Sequence, residues 1–152
     1  MSVAPIMRSL TVKAPPQRAF ELFTSSMGKW WPKGVAERPH VAIVLEPHAG
    51  GRWFERDDQG KETPWGDVIS WEPPTRVLLA WRLNTRWTYD PNCTTEVEIT
   101  FKPATGGGTT VTLEHRKLEQ FGEDAARHSD SLRGGWPAIL DQYAGFADAA
   151  KN

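Results

Sequence analysis

Hydrophobic and polar positions along the chain follow two periods, and the change from one to the other marks its architecture. Residues 94–101 and 109–117 alternate most cleanly. Val97, Ile99 and Phe101 share one face with Glu96, Glu98 and Thr100 opposite, and Val111, Leu113 and His115 share the next. Shorter runs at 7–13, 41–45, 52–56, 65–72 and 76–83 also read as strands, the last with Val77, Leu79 and Trp81 on one side. The turns between them carry Asp57-Asp58-Gln59-Gly60, Pro73-Pro74 and Gly106-Gly107-Gly108. This pattern predicts a meander of antiparallel strands with one buried and one wet face.

Helical period appears twice. Ala14-Pro15-Pro16 stops the first strand and starts a helix over 17–23, with Ala19, Phe20, Leu22 and Phe23 as its apolar side. A second short helix is expected to end at Trp30-Trp31, before Pro32-Lys33-Gly34. From near Glu123 onward the chain turns helical again: Trp136, Leu140, Tyr143 and Ala147 recur at i, i+4, i+7 and i+11, flanked by Ile139 and Phe146. Pro137 cannot bond back to the Arg133 carbonyl, which predicts a kink or a restart there. A long amphipathic helix after a run of strands must lay its stripe on the sheet. The expected class is therefore α+β, one domain over 1–152.

Composition adds one unusual feature. Eight tryptophans in 152 residues exceed what a small core needs, which suggests a cavity or an interface walled by some of them. A net charge of −1 with scattered Lys and Arg offers no footprint for nucleic acid or an anionic membrane surface. No apolar run approaches 18 residues, and a cytoplasmic location is the expectation. The lone Cys93 excludes an intrachain disulfide. His40, His48 and His128 lack the local spacing of a zinc site, and the Gly106–Gly108 turn lies between strands rather than before a helix, so neither a metal nor a nucleotide cofactor is expected. The tryptophan excess and near-zero charge leave apolar surface for a homodimer.

An ordered set of motifs runs through the chain. It begins with Ala14-Pro15-Pro16-Gln17-Arg18-Ala19-Phe20-Glu21-Leu22-Phe23 and a following tryptophan, then Pro47-His48-Ala49-Gly50-Gly51-Arg52-Trp53 and Gly66-Asp67-Val68. It continues with Glu72-Pro73-Pro74-Thr75-Arg76, Trp81, Thr110-Val111-Thr112-Leu113-Glu114-His115, and Gly135-Trp136 with Leu140. The set resembles the START-like (SRPBCC, helix-grip) superfamily and, within it, the activator of heat-shock-protein-90 ATPase homologue family. The resemblance implies a curved antiparallel sheet gripping a long C-terminal helix, two short helices after the first strand, and a cavity between helix and sheet. Pro137 directly after the tryptophan departs from the family pattern.

Candidate chemistry is sparse. His115, in phase with Val111 and Leu113, faces the buried side, either as a hydrogen-bonded core histidine or as a ligand-contacting or acid–base group. Glu55 shares a face with Trp53. It is a general acid or base if that face is concave and a solvated strand residue if it is convex. The expected ligand-binding set is Trp53, Glu55, Trp81, His115, Trp136, Leu140 and Tyr143, around a small apolar or aromatic molecule. Two other readings stand beside it: a co-chaperone-like interaction domain, and an enzyme using His115 and Glu55.

Overall fold

The computed structural model describes residues 3–150. All seven expected strands form: β1 (Ile6–Val12), β2 (His40–Leu45), β3 (Arg52–Asp57), β4 (Glu62–Glu72), β5 (Arg76–Trp81), β6 (Thr95–Pro103) and β7 (Thr109–Arg116). They make one antiparallel sheet in the order β1-β7-β6-β5-β4-β3-β2. Strands β2 to β7 are therefore a plain meander, and β1 completes the sheet beside β7. Helices α1 (Pro16–Thr24) and α2 (Met27–Trp30) carry the chain from one edge of the sheet to the other. The last helix, α3 (Ala125–Ala149), lies in the concave face, so the fold is the helix-grip α+β class.

The period-2 strands pack as their pattern requires. Thr95, Val97, Ile99 and Phe101 on β6, and Thr109, Val111, Leu113 and His115 on β7, are all buried, and in register Val97 faces His115 and Ile99 faces Leu113. Sheet curvature comes from irregular register at His40/Ala42, Trp53/Phe54 and Val68/Ser70. At the second of these, Trp53, Phe54 and Glu55 are buried in succession, which simple alternation does not allow. Gly66, opposite Trp53, fits there because a Cβ would stand 1.8 Å from the Ala80 carbonyl oxygen.

The α3 stripe is buried at Trp136, Leu140, Tyr143 and Ala147 and extends back to Leu132 and Ala125. The expected restart at Pro137 does not occur: α3 is one helix with Pro137 inside it. Pro137 leaves the Arg133 carbonyl without its helical donor. The Arg8 guanidinium, reaching from β1, donates to that oxygen at 3.4 Å. The break in helical backbone lies earlier, at Gly122 (φ 86°), inside the short 3-10 segment Leu118–Asp124 that leads into α3.

Along α3 the core divides into two halves. The C-terminal half packs on a filled aromatic cluster, in which the Phe23 ring lies 4.9 Å from Tyr143, 5.0 Å from Trp30 and 5.8 Å from Phe101. The N-terminal half faces a group of tryptophans that does not close.

Candidate functional site

Between the N-terminal half of α3 and the sheet lies a mostly apolar cavity of about 180 Å³, open at one side. Helix α3 contributes Leu132, Gly135, Trp136 and Ile139, which stand on one face at helical spacing. The sheet side supplies Trp65 from β4, Trp81 from the end of β5, and Leu83 just beyond it. The mouth is bordered by two connections. Residues 31–35, between α2 and β2, bring Trp31, Lys33 and Val35, and the loop after β5 brings Trp87. Five of the eight tryptophans thus surround one space. Their rings brace one another at an angle: Trp31 lies 5.1 Å from Trp65 and 5.7 Å from Trp136, and Trp81 lies 5.7 Å from Trp136.

The loop holding Trp87 is built locally. Asn84 Oδ1 accepts from the backbone N–H groups of Arg86 and Thr88, which permits a left-handed backbone at Trp87 (φ 58°) between them. Arg82 ties down the base of this loop: it donates to Asp67 at 2.6 Å, to Thr94 Oγ1 and to the Pro91 carbonyl. The Trp87 ring remains 43 % exposed and lies 5.1 Å from the buried His128 ring.

The seven residues expected to bind ligand divide by position. Trp81 and Trp136 line the cavity. Leu140 and Tyr143 lie further along α3 in the filled half of the core, where the Tyr143 hydroxyl donates to the Ala19 carbonyl at 2.9 Å and burial pushes its pKa up. Trp53 stands behind the wall, its ring 5.4 Å from Trp65 and 5.8 Å from Trp81.

His115 also lies behind the wall, in a chain of hydrogen bonds that fixes its tautomer. Trp136 Nε1–H donates to His115 Nδ1 at 3.2 Å, so the ring proton sits on Nε2 and is directed to Thr95 Oγ1 at 2.8 Å. The Thr95 hydroxyl in turn donates to the Trp81 carbonyl at 3.4 Å. Burial, with a smaller contribution from His128, pushes the His115 pKa down to about 3. The imidazole is therefore neutral, and it links the two wall residues Trp136 and Trp81.

Glu55 is buried on the concave side rather than solvated. Its Oε1 accepts from the backbone N–H of Val35 at 2.6 Å, from that of Ala36 at 3.2 Å and from Trp65 Nε1 at 2.9 Å. Cys93 is buried and its thiol pKa is raised by burial, the opposite of an activated nucleophile. Among the described residues, no three His, Cys, Asp or Glu side chains converge as metal ligands, and no helix is long and apolar enough to cross a membrane.

Sequence reading missed Trp31, Lys33, Val35, Trp65 and Leu83 at this site. The helix offered a usable signal, because Leu132 continues the Trp136 stripe one turn back. The connection between α2 and β2 offered none, since Pro32-Lys33-Gly34 says only that a helix ends.

The match that decides the family spans most of the chain. Residues 13–147 fit the model of the activator of Hsp90 ATPase homolog 1-like proteins. The chain belongs to that family. Among solved structures, one similar protein is the anthrahydroquino-gamma-pyrone synthase Txn09, 33 % identical over 95 % of this chain and 97 % of its own, with a TM-score of 0.68. Another is CalC, a self-sacrificing resistance protein from Micromonospora echinospora, 30 % identical over 97 % of each chain, with a TM-score of 0.74. The Aha1 dimer from Colwellia psychrerythraea, 16 % identical over 99 % of this chain and 100 % of its own, shares the fold (TM-score 0.66). No curated protein matches the chain. Its place in the activator of Hsp90 ATPase homolog 1-like family accounts for the order of the motifs, from the Pro15-Pro16 helix start to Gly135-Trp136.

Proposed function

We propose that the chain binds a small aromatic molecule in the cavity between α3 and the sheet. The observation that carries this reading is the space itself. Five tryptophans surround a volume of about 180 Å³ that no side chain fills, although the other half of the same core is closely packed. Protein interiors are ordinarily close-packed, and an apolar cavity of about 150 Å³ is enough to hold benzene. One or two fused rings fit inside. A larger frame would extend through the mouth between Val35 and Trp87, past the Lys33 ammonium. The 33 % identical relative named as an anthrahydroquino-gamma-pyrone synthase supports a fused aromatic ligand.

Binding is favoured over acid–base catalysis by what lines the cavity. The wall holds Trp, Leu, Val, Ile and Gly with only Lys33 and Ser131 as polar side chains. His115 has both nitrogens engaged, and Glu55 already accepts three N–H donors. The co-chaperone-like reading has no comparable observation behind it.

Titration with naphthol and with anthraquinone sulfonate, followed by quenching of tryptophan fluorescence, tests the proposal. Saturable one-to-one quenching is expected. Gly135→Leu should abolish it while leaving the fold intact: a Cβ at Gly135 meets no atom within 4 Å, and replacing a helical glycine is worth about 0.5–1 kcal/mol in favour of folding. A well-folded Gly135→Leu protein that binds the probes like wild type would remove the cavity as the site.

A further inference from the structure

The connection between α2 and β2 crosses the cavity mouth with none of its residues 32–39 in the sheet. What holds it is Glu55. This carboxylate is only 1 % exposed, and among the described residues its sole partners are two strap amides, Val35 and Ala36, and the Trp65 indole. All three bonds end on Oε1, while Oε2 is buried with no partner. That second oxygen lies against the strap at Gly34, where a Cβ would come within 2.1 Å of it. A buried carboxylate is costly to keep in a core and is retained where its hydrogen bonds fix something. Here it fixes two parts of the same pocket: the strap carrying Lys33 and Val35, and the wall ring Trp65.

We infer that Glu55 is the positioning residue of the binding site, a latch that holds the strap 32–36 closed over the cavity and sets the orientation of Trp65, so that ligand enters and leaves by release of this strap. The inference rests on the cavity being the binding site. Outside the latch the strap is anchored at its ends, by the Trp31 N–H bond to the Met27 carbonyl, by His40 Nε2 to the Gly28 carbonyl, and by the exposed Arg38–Asp58 pair. Between these anchors no residue of the segment pairs with the sheet, and Val35 packs against the core. A carboxylate with backbone donors forms stronger bonds than a neutral acceptor would, so loss of its charge should loosen the strap by degrees.

Glu55→Ala, Glu55→Gln and Gly34→Ala test this in the full chain. Gly34→Ala forces the strap and the Glu55 carboxylate apart while keeping the residue at 55, and substitutes for Glu55→Ala should that variant not fold. The readouts are hydrogen exchange at the Val35 and Ala36 amides, the indole N–H resonance of Trp65, and stopped-flow association and dissociation of naphthol. Expected are about tenfold or faster exchange at both amides in Glu55→Ala or Gly34→Ala, a smaller rise in Glu55→Gln, and a shifted Trp65 resonance. Naphthol association and dissociation should both accelerate, so that affinity changes less than either rate. Exchange within about twofold of wild type, or an unchanged association rate beside faster exchange, overturns the latch. Should wild type bind no naphthol, the cavity's assignment falls, and the exchange and indole readouts still decide whether Glu55 holds the strap.

Discussion

Trp136→Ala is expected to cost about 3–5 kcal/mol of folding stability, the range for truncating a large buried aromatic side chain. The ring is 2 % exposed and touches Trp31, Trp81 and His115 at centroid distances of 5.7, 5.7 and 5.9 Å. Truncation removes these contacts and also leaves His115 Nδ1 buried without its donor. Trp136→Phe separates the two losses. It keeps most of the apolar volume and should cost only about 1–3 kcal/mol, largely for the orphaned acceptor. Chemical denaturation of the three proteins measures both. A loss below about 1 kcal/mol for Trp136→Ala would mean that α3 does not seat on the sheet through this residue.

Acid should weaken the fold well before the carboxylates titrate. Burial holds the His115 pKa at about 3 in the folded chain, against an ordinary value of 6.5. Between those values the unfolded chain carries a proton that the folded chain refuses, so lowering the pH favours unfolding. The stabilisation is complete above about pH 6.5 and is lost as pH falls towards 3, at up to roughly 1.4 kcal/mol per pH unit. His128, whose pKa burial also lowers, acts in the same direction. The groups around them are fixed: Thr95 and Trp136 bond His115, and the Trp87 and Phe121 rings flank His128, with Asp124 the acid that opposes its shift. The denaturant midpoint should therefore drop steadily from pH 7 to 5. Glu62, Glu72 and Glu96 do not add to that window, because their pKa values lie below the usual carboxylate range. His115→Gln, whose amide can accept from Trp136 and donate to Thr95, should flatten much of the slope. A midpoint independent of pH across that range would contradict a neutral, buried His115.

How far the sequence carries depends on whether a residue's surroundings lie near it in the chain. The alternation of Val97, Ile99, Phe101 and of Val111, Leu113, His115 is a local property of extended strands, and their burial follows it without exception. The α3 stripe is local in the same way. Helix continuity at Pro137 is not, because the Arg133 carbonyl is met by Arg8 from the first strand. Nor is the phase of β3: an irregular register at Trp53/Phe54 buries three residues running, and Glu55 could not be placed without it. The cavity's position follows from where the core is full. Phe23 and Trp30 pack on Tyr143 and fill that part of the core, which shifts the opening about two turns back, to Leu132 and Gly135. Trp31 and Val35 reach it on a connection whose sequence specifies a break but not what it covers.

The most direct measurement is a crystal structure of the chain grown with naphthol. The aromatic rings are expected between Trp136 and Leu132 of α3 on one side and Trp65 and Trp81 of the sheet on the other, with the hydroxyl towards the mouth at Lys33. A fully formed complex in which naphthol occupies a different surface, with the five tryptophans unchanged around an empty space, would contradict the account.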